Sequence, residues 1–105
     1  MKKISTLLVV YIFLFTSNIM AEQLKITSKS DVLIYSNLFW TPCKEAKALL
    51  KSRGIDYNTK LITFSKKNIK EMSDKTGGAT SVPQIFIDNK YFGGLLELKK
   101  YYNEL

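Results

Sequence analysis

Ser81-Val82-Pro83-Gln84-Ile85-Phe86-Ile87-Asp88-Asn89-Lys90-Tyr91-Phe92-Gly93-Gly94 is the stretch that decides how this chain folds. Gln84 to Ile87 has strand length and carries β-branched and aromatic side chains. Asp88-Asn89-Lys90 supplies turn chemistry and Tyr91-Phe92 resumes the apolar run, so the spacing predicts a tight antiparallel hairpin. Gly93-Gly94 breaks the chain. Leu95, Leu98 and Tyr102 then recur at helical spacing, which predicts a last helix over Leu95 to Glu104.

Upstream of the hairpin, Ser65 is a capping residue for a helix over Lys66 to Lys75, with Ile69 and Met72 as its inner face and Gly77-Gly78 as its stop. Ile55 to Ile62 reads as a strand. Pro42 to Arg53 reads as a helix, with Cys43, Ala46, Leu49 and Leu50 on one face and Lys44, Lys47 and Lys51 toward water. Thr41 and Pro42 suit the N-cap and the first turn, and Gly54 suits a left-handed stop. Val32 to Tyr35 is a continuous apolar run, as a strand covered on both faces requires.

The order is therefore β-α-β-α-β-β-α. A strand–helix–strand unit makes a parallel pair and the turn at Asn89 an antiparallel one. The expected fold class is α/β, a mixed four-stranded sheet with helices on both faces. Residues 31–105 form this domain. Residues 22–30 are polar, with a weak alternation at Leu24 and Ile26, and read either as a short leading strand or as a tether.

The first segment reads differently. Lys2 and Lys3 precede an apolar run from Ile4 to Phe15, and Ala21 offers a small residue before Glu22. This is the pattern of a secretory signal peptide over residues 1–21, with an uncleaved, tilted anchor as the alternative. The expected location is exported, periplasmic or extracellular. Removing residues 1–21 with their two lysines leaves 84 residues and lowers the net charge from +7 to +5. The lysines are scattered and no arginine–aromatic stripe accompanies them, so solvated helix faces are expected and no nucleic-acid partner. Membrane contact is expected only through residues 1–21, if they are retained.

The chain has one cysteine, Cys43, and no histidine. An internal disulfide, a histidine-ligated metal site and a histidine-based catalytic pair are excluded. No metal site is expected.

Three stretches resemble glutaredoxins. Val32-Leu33-Ile34-Tyr35-Ser36, a motif ending in Cys43, and Lys44-Glu45-Ala46-Lys47-Ala48-Leu49-Leu50 are similar to the family's opening strand, cysteine motif and helix. Ser81-Val82-Pro83-Gln84-Ile85-Phe86-Ile87 resembles its most specific segment. Gly93-Gly94 with Leu98 resembles its third. The resemblance implies a thioredoxin-like fold and thiol–disulfide exchange with glutathione or protein thiols and disulfides. It also implies a cis proline at Pro83, presenting backbone groups that hold glutathione in an extended form.

Aligned without a gap, the motif here is Trp40-Thr41-Pro42-Cys43. Trp40 stands where the family's attacking cysteine is, and Cys43 where its resolving cysteine is. In the part of the site that meets glutathione, Leu96 replaces one acidic residue and Glu97 keeps a carboxylate at the next. Asn37 falls where many members carry a lysine, a role that Lys44 or Lys75 could fill. The resemblance thus assigns catalysis to Cys43 and glutathione or substrate binding to Trp40, Thr41, Pro42, Ser81, Val82, Pro83, Gly94 and Glu97. No tightly bound cofactor is expected, with glutathione as co-substrate. Two readings of function stay open: a glutathione-linked oxidoreductase acting by a monothiol route through Cys43 in cell redox homeostasis, and an inactive module that binds glutathione or an extended peptide. A reactive thiol separates them from a buried packing residue. The chain is expected to be a monomer, with a Cys43-linked dimer as the alternative.

Overall fold

A computed structural model describes residues 24–105. The signal segment 1–21 lies outside them, as do Glu22 and Gln23 of the expected tether. The elements run β1 (Val32–Ser36), α1 (Thr41–Ser52), β2 (Asn58–Leu61), α2 (Lys66–Thr76), β3 (Gln84–Ile87), β4 (Lys90–Gly93) and α3 (Leu95–Tyr101). The sheet order is β2-β1-β3-β4. β1 runs parallel to β2 and antiparallel to β3, and β3 antiparallel to β4. This is the mixed four-stranded sheet that the sequence predicts.

Alternation along the two central strands builds two cores, because successive strand side chains point to opposite faces. Val32, Ile34, Ile85 and Ile87 meet Ala46 and Leu50 of α1 and Leu98 of α3 on one face. Tyr35 and Phe86 meet Met72 of α2 on the other. Leu50 is inaccessible to solvent, and truncating such a leucine to alanine costs ~2–5 kcal/mol. The Asp88-Asn89 turn has positive φ at both residues (51° and 65°), which those side chains tolerate and which suits a tight hairpin.

Several boundaries and one inner face differ from expectation. α1 begins at Thr41, so the N-cap is Trp40, in extended backbone (φ −95°, ψ 118°) and with no side-chain capping bond. Tryptophan has no acceptor to offer, and Thr41 is already helical. β2 is only Asn58–Leu61, with Ile55 buried ahead of it. α3 stops at Tyr101. Ile69 is exposed, leaving Met72 as the buried residue of α2. Ser65 caps α2 as expected, accepting the Asn68 N–H at 3.2 Å. Residues 24–30 form no strand; Ile26 is buried and donates its N–H to the Tyr101 hydroxyl at 2.9 Å. Among the described residues no helix is long and apolar enough to cross a membrane.

Candidate functional site

The hairpin and the starts of α1 and α3 surround one groove of about 510 Å³. Pro42, Ser81, Val82, Pro83, Gly94 and Glu97 all line it. The Val82–Pro83 peptide bond is cis, as the resemblance implies, and Pro83 is buried. Gly94 approaches the Pro83 carbonyl so closely that an added Cβ would come within 3.1 Å of that oxygen. The two segments therefore form one wall. Trp40, Thr41 and Cys43 are not among the lining residues.

Glu97 closes one end of the wall. Its Oε1 accepts the Gly94 N–H at 2.9 Å, which satisfies a free donor at the start of α3. The reciprocal half of a capping box is missing, because Gly94 has no side chain. The Glu97 charge also acts on Tyr91, whose phenol is pushed above its ordinary pKa first by partial burial and then by that carboxylate.

Gln84 and Tyr91 also line the groove and were not singled out in the sequence. The buried Gln84 amide donates to Ser81 O (2.9 Å) and Ser81 Oγ (3.2 Å), while its oxygen accepts from the Tyr91 hydroxyl. One glutamine thus ties the loop before Pro83 to β4. The only signal for it was a polar residue at the head of an apolar strand.

Cys43 is not in a disulfide and is 1% exposed, in the first turn of α1 directly after Pro42. Its N–H bonds to Trp40 O at 3.1 Å. Trp40 is 53% exposed. The Asn37 side chain is used locally, its Oδ1 accepting the Phe39 N–H at 2.9 Å. Lys75 lies elsewhere, beside Glu71 (3.5 Å) and over the Phe86 ring, and neither it nor Lys44 lines the groove. Among the described residues no cluster of side chains could hold a metal ion.

The family model described as Glutaredoxin matches residues 32–92. The chain belongs to the glutaredoxin family. It is 39% identical over 69 residues to glutaredoxin 3 of Escherichia coli K12, covering 66% of this chain and 82% of that protein. It is 34% identical over 73 residues to glutaredoxin 1 of Rickettsia conorii, covering 66% and 72%. Among solved structures, glutaredoxin from Brucella melitensis superposes with a TM-score of 0.62 at 32% identity, covering 76% of this chain and 86% of that one. A buckwheat glutaredoxin–glutathione complex shares the fold, with a TM-score of 0.60 at 23% identity over 82% of this chain and 80% of that one. Family and fold together support a glutaredoxin-like redox function for this chain.

Proposed function

We propose that this glutaredoxin is an exported thiol–disulfide oxidoreductase that works by a monothiol route through Cys43, with glutathione as co-substrate. The Cys43 thiolate attacks a disulfide, forming a mixed disulfide and releasing one thiolate. An external thiolate such as that of glutathione then attacks the mixed disulfide, restoring Cys43 and leaving a new disulfide. The external thiol closes the cycle because the chain holds no second cysteine.

The observation that carries this reading is the place of the sole thiol. It follows Pro42, a wall of the cis-proline groove, in the first turn of a helix. A helix start presents a partial positive charge that favours anions, and its first turn here carries no acidic residue. Burial of the thiol is compatible with chemistry if the turn opens. Apart from the 3.1 Å bond from Cys43 N–H to Trp40 O, that turn is held by long contacts: Trp40 N–H to Asn37 O and Lys44 N–H to Trp40 O are both 3.5 Å, and the cap has no side-chain bond. Local opening of such a turn takes much less free energy than global unfolding.

A second reading rests on a different observation. Cys43 is 1% exposed while the groove is open. A module that binds glutathione or an extended peptide without turnover would use only the groove.

One experiment separates them. The folded chain is mixed with glutathione disulfide, and the intact mass is followed with and without denaturant, with Cys43→Ala as control. A mixed disulfide forming in the folded protein, and cleared by reduced glutathione, supports the oxidoreductase. A thiol that reacts only after unfolding sinks the catalytic route and leaves the binding module.

A further inference from the structure

Two loops at one end of the sheet carry large apolar side chains into water. Leu38, Phe39 and Trp40 follow β1 and are 49%, 76% and 53% exposed; Phe64 follows β2 and is 98% exposed. The loops are tied together, Leu38 N–H donating to Thr63 Oγ1 at 3.0 Å. Each is also held in a tight turn. Asn37 accepts the Phe39 N–H, and Ser65 N–H donates to Ile62 O at 3.0 Å. Phe64 has φ of 62°, a conformation that costs a bulky residue energy and that burial does not repay. Strain of this kind persists where a side chain is needed in one place.

The surroundings of these side chains are basic. Lys44, Lys66 and Lys67 are exposed in the first turns of α1 and α2, and neither first turn contains an acid. Nearby carboxylates are engaged elsewhere, Glu45 with Lys99 (2.8 Å) and Glu71 with Lys60. None of the four apolar side chains lines the cis-proline groove. They form a projecting tip, not a pocket.

We infer that this tip is a docking surface for an anionic lipid bilayer: Phe39, Trp40 and Phe64 enter the interfacial region and Lys44, Lys66 and Lys67 meet the headgroups. Aromatic side chains on a basic rim are the chemistry that binds at that boundary. A second copy of the chain fits poorly, since both tips would bring the same positive charge. The inference is independent of any chemistry at Cys43.

Trp40 is the only tryptophan in the chain, so its fluorescence reports on this tip alone, even if residues 1–21 also enter lipid. The full chain is titrated with phosphatidylglycerol vesicles and with phosphatidylcholine vesicles. The expected result is a blue shift and quenching by brominated acyl chains with phosphatidylglycerol only. Neutralising Lys44 or Lys66 to glutamine should weaken partition about fivefold each, and Phe39→Ser with Phe64→Ser should abolish the shift. An unchanged Trp40 spectrum while the protein pellets with vesicles would mean attachment through the leader alone and would overturn the proposal. Trp40 emission already shifted without lipid would overturn it too, because the leader or a second copy would then cover the tip. A shift produced by an acidic apolar peptide and not by vesicles would assign the tip to a protein partner instead.

Discussion

The Gly93 Cα lies against the Glu97 side chain so closely that a methyl group on it would come within 2.6 Å of Glu97 Cγ and 2.8 Å of Oε1. Gly93 also has φ of 137°, which other residues rarely adopt. Gly93→Ala should therefore destabilise the fold by about 2–4 kcal/mol, from backbone strain plus overpacking. Adding Glu97→Ala should recover the part of the steric share due to Cγ and Oε1, and leave the backbone share together with the contact to Cβ, which is also 2.8 Å away and remains in alanine. Urea denaturation of both single variants and the double variant measures the split. Strictly additive losses would show that the two residues do not press on each other in solution.

Glu71 gathers charge and hydrogen bonds on the opposite face. It accepts from the Lys60 ammonium and from the Tyr35 hydroxyl, with Lys75 at 3.5 Å. The Lys60 bond first, and the Tyr35 bond second, lower its pKa from 4.5 to about 2. A carboxylate depressed on folding stabilises the native state above its unfolded pKa, and this is lost as pH falls through the folded value. Stability should thus drain between about 4.5 and 2. Glu71→Gln should be less stable at neutral pH and show a flatter acid limb in urea melts. An identical acid limb in variant and parent would remove Glu71 from the account.

Much of this fold follows from local chemistry. Asp88 and Asn89 are residue types that accept positive φ, so the hairpin was readable, and with it the antiparallel half of the sheet. Ser65 carries its own acceptor and announces the start of α2. Trp40 could not announce the start of α1, because its capping position comes from backbone geometry and not from its side chain. Ile69 and Met72 share helical spacing, yet only Met72 packs with Tyr35 and Phe86, while Ile69 stays exposed. In the groove, Val82, Pro83 and Gly94 were visible through the resemblance. Gln84 was not, since only the fold brings Ser81 and Tyr91 to its two ends.

Cys43 tests whether burial or reactivity governs the first turn of α1. Replacing a 1% exposed thiol by serine takes a more polar hydroxyl out of water, at about 1–3 kcal/mol. Cys43→Ala should cost less, ~1 kcal/mol for a single lost atom. Alanine is thus the variant to use when thiol chemistry is assayed, and its melting curve should stay near the parent's. If serine were as well tolerated as alanine, Cys43 would be meeting water, and its side chain would already be open to reagents.

Among the described residues, Phe64 stands apart from the other positive-φ residues outside glycine, which are Asp88, Asn89 and Asn103. Those side chains suit the left-handed region, and a phenylalanine does not. At 98% exposure its ring has almost nothing to pack against in return. Phe64→Asn should therefore raise stability by about 1 kcal/mol, seen as a higher urea midpoint with an unchanged slope. Phe64→Gly should gain less, because glycine also loosens the unfolded chain. The same variants should lose partition onto anionic vesicles, so stability and lipid contact should move in opposite directions. A midpoint that falls on Phe64→Asn would mean that the ring packs against the protein in solution, and the exposed tip would lose its most projecting member.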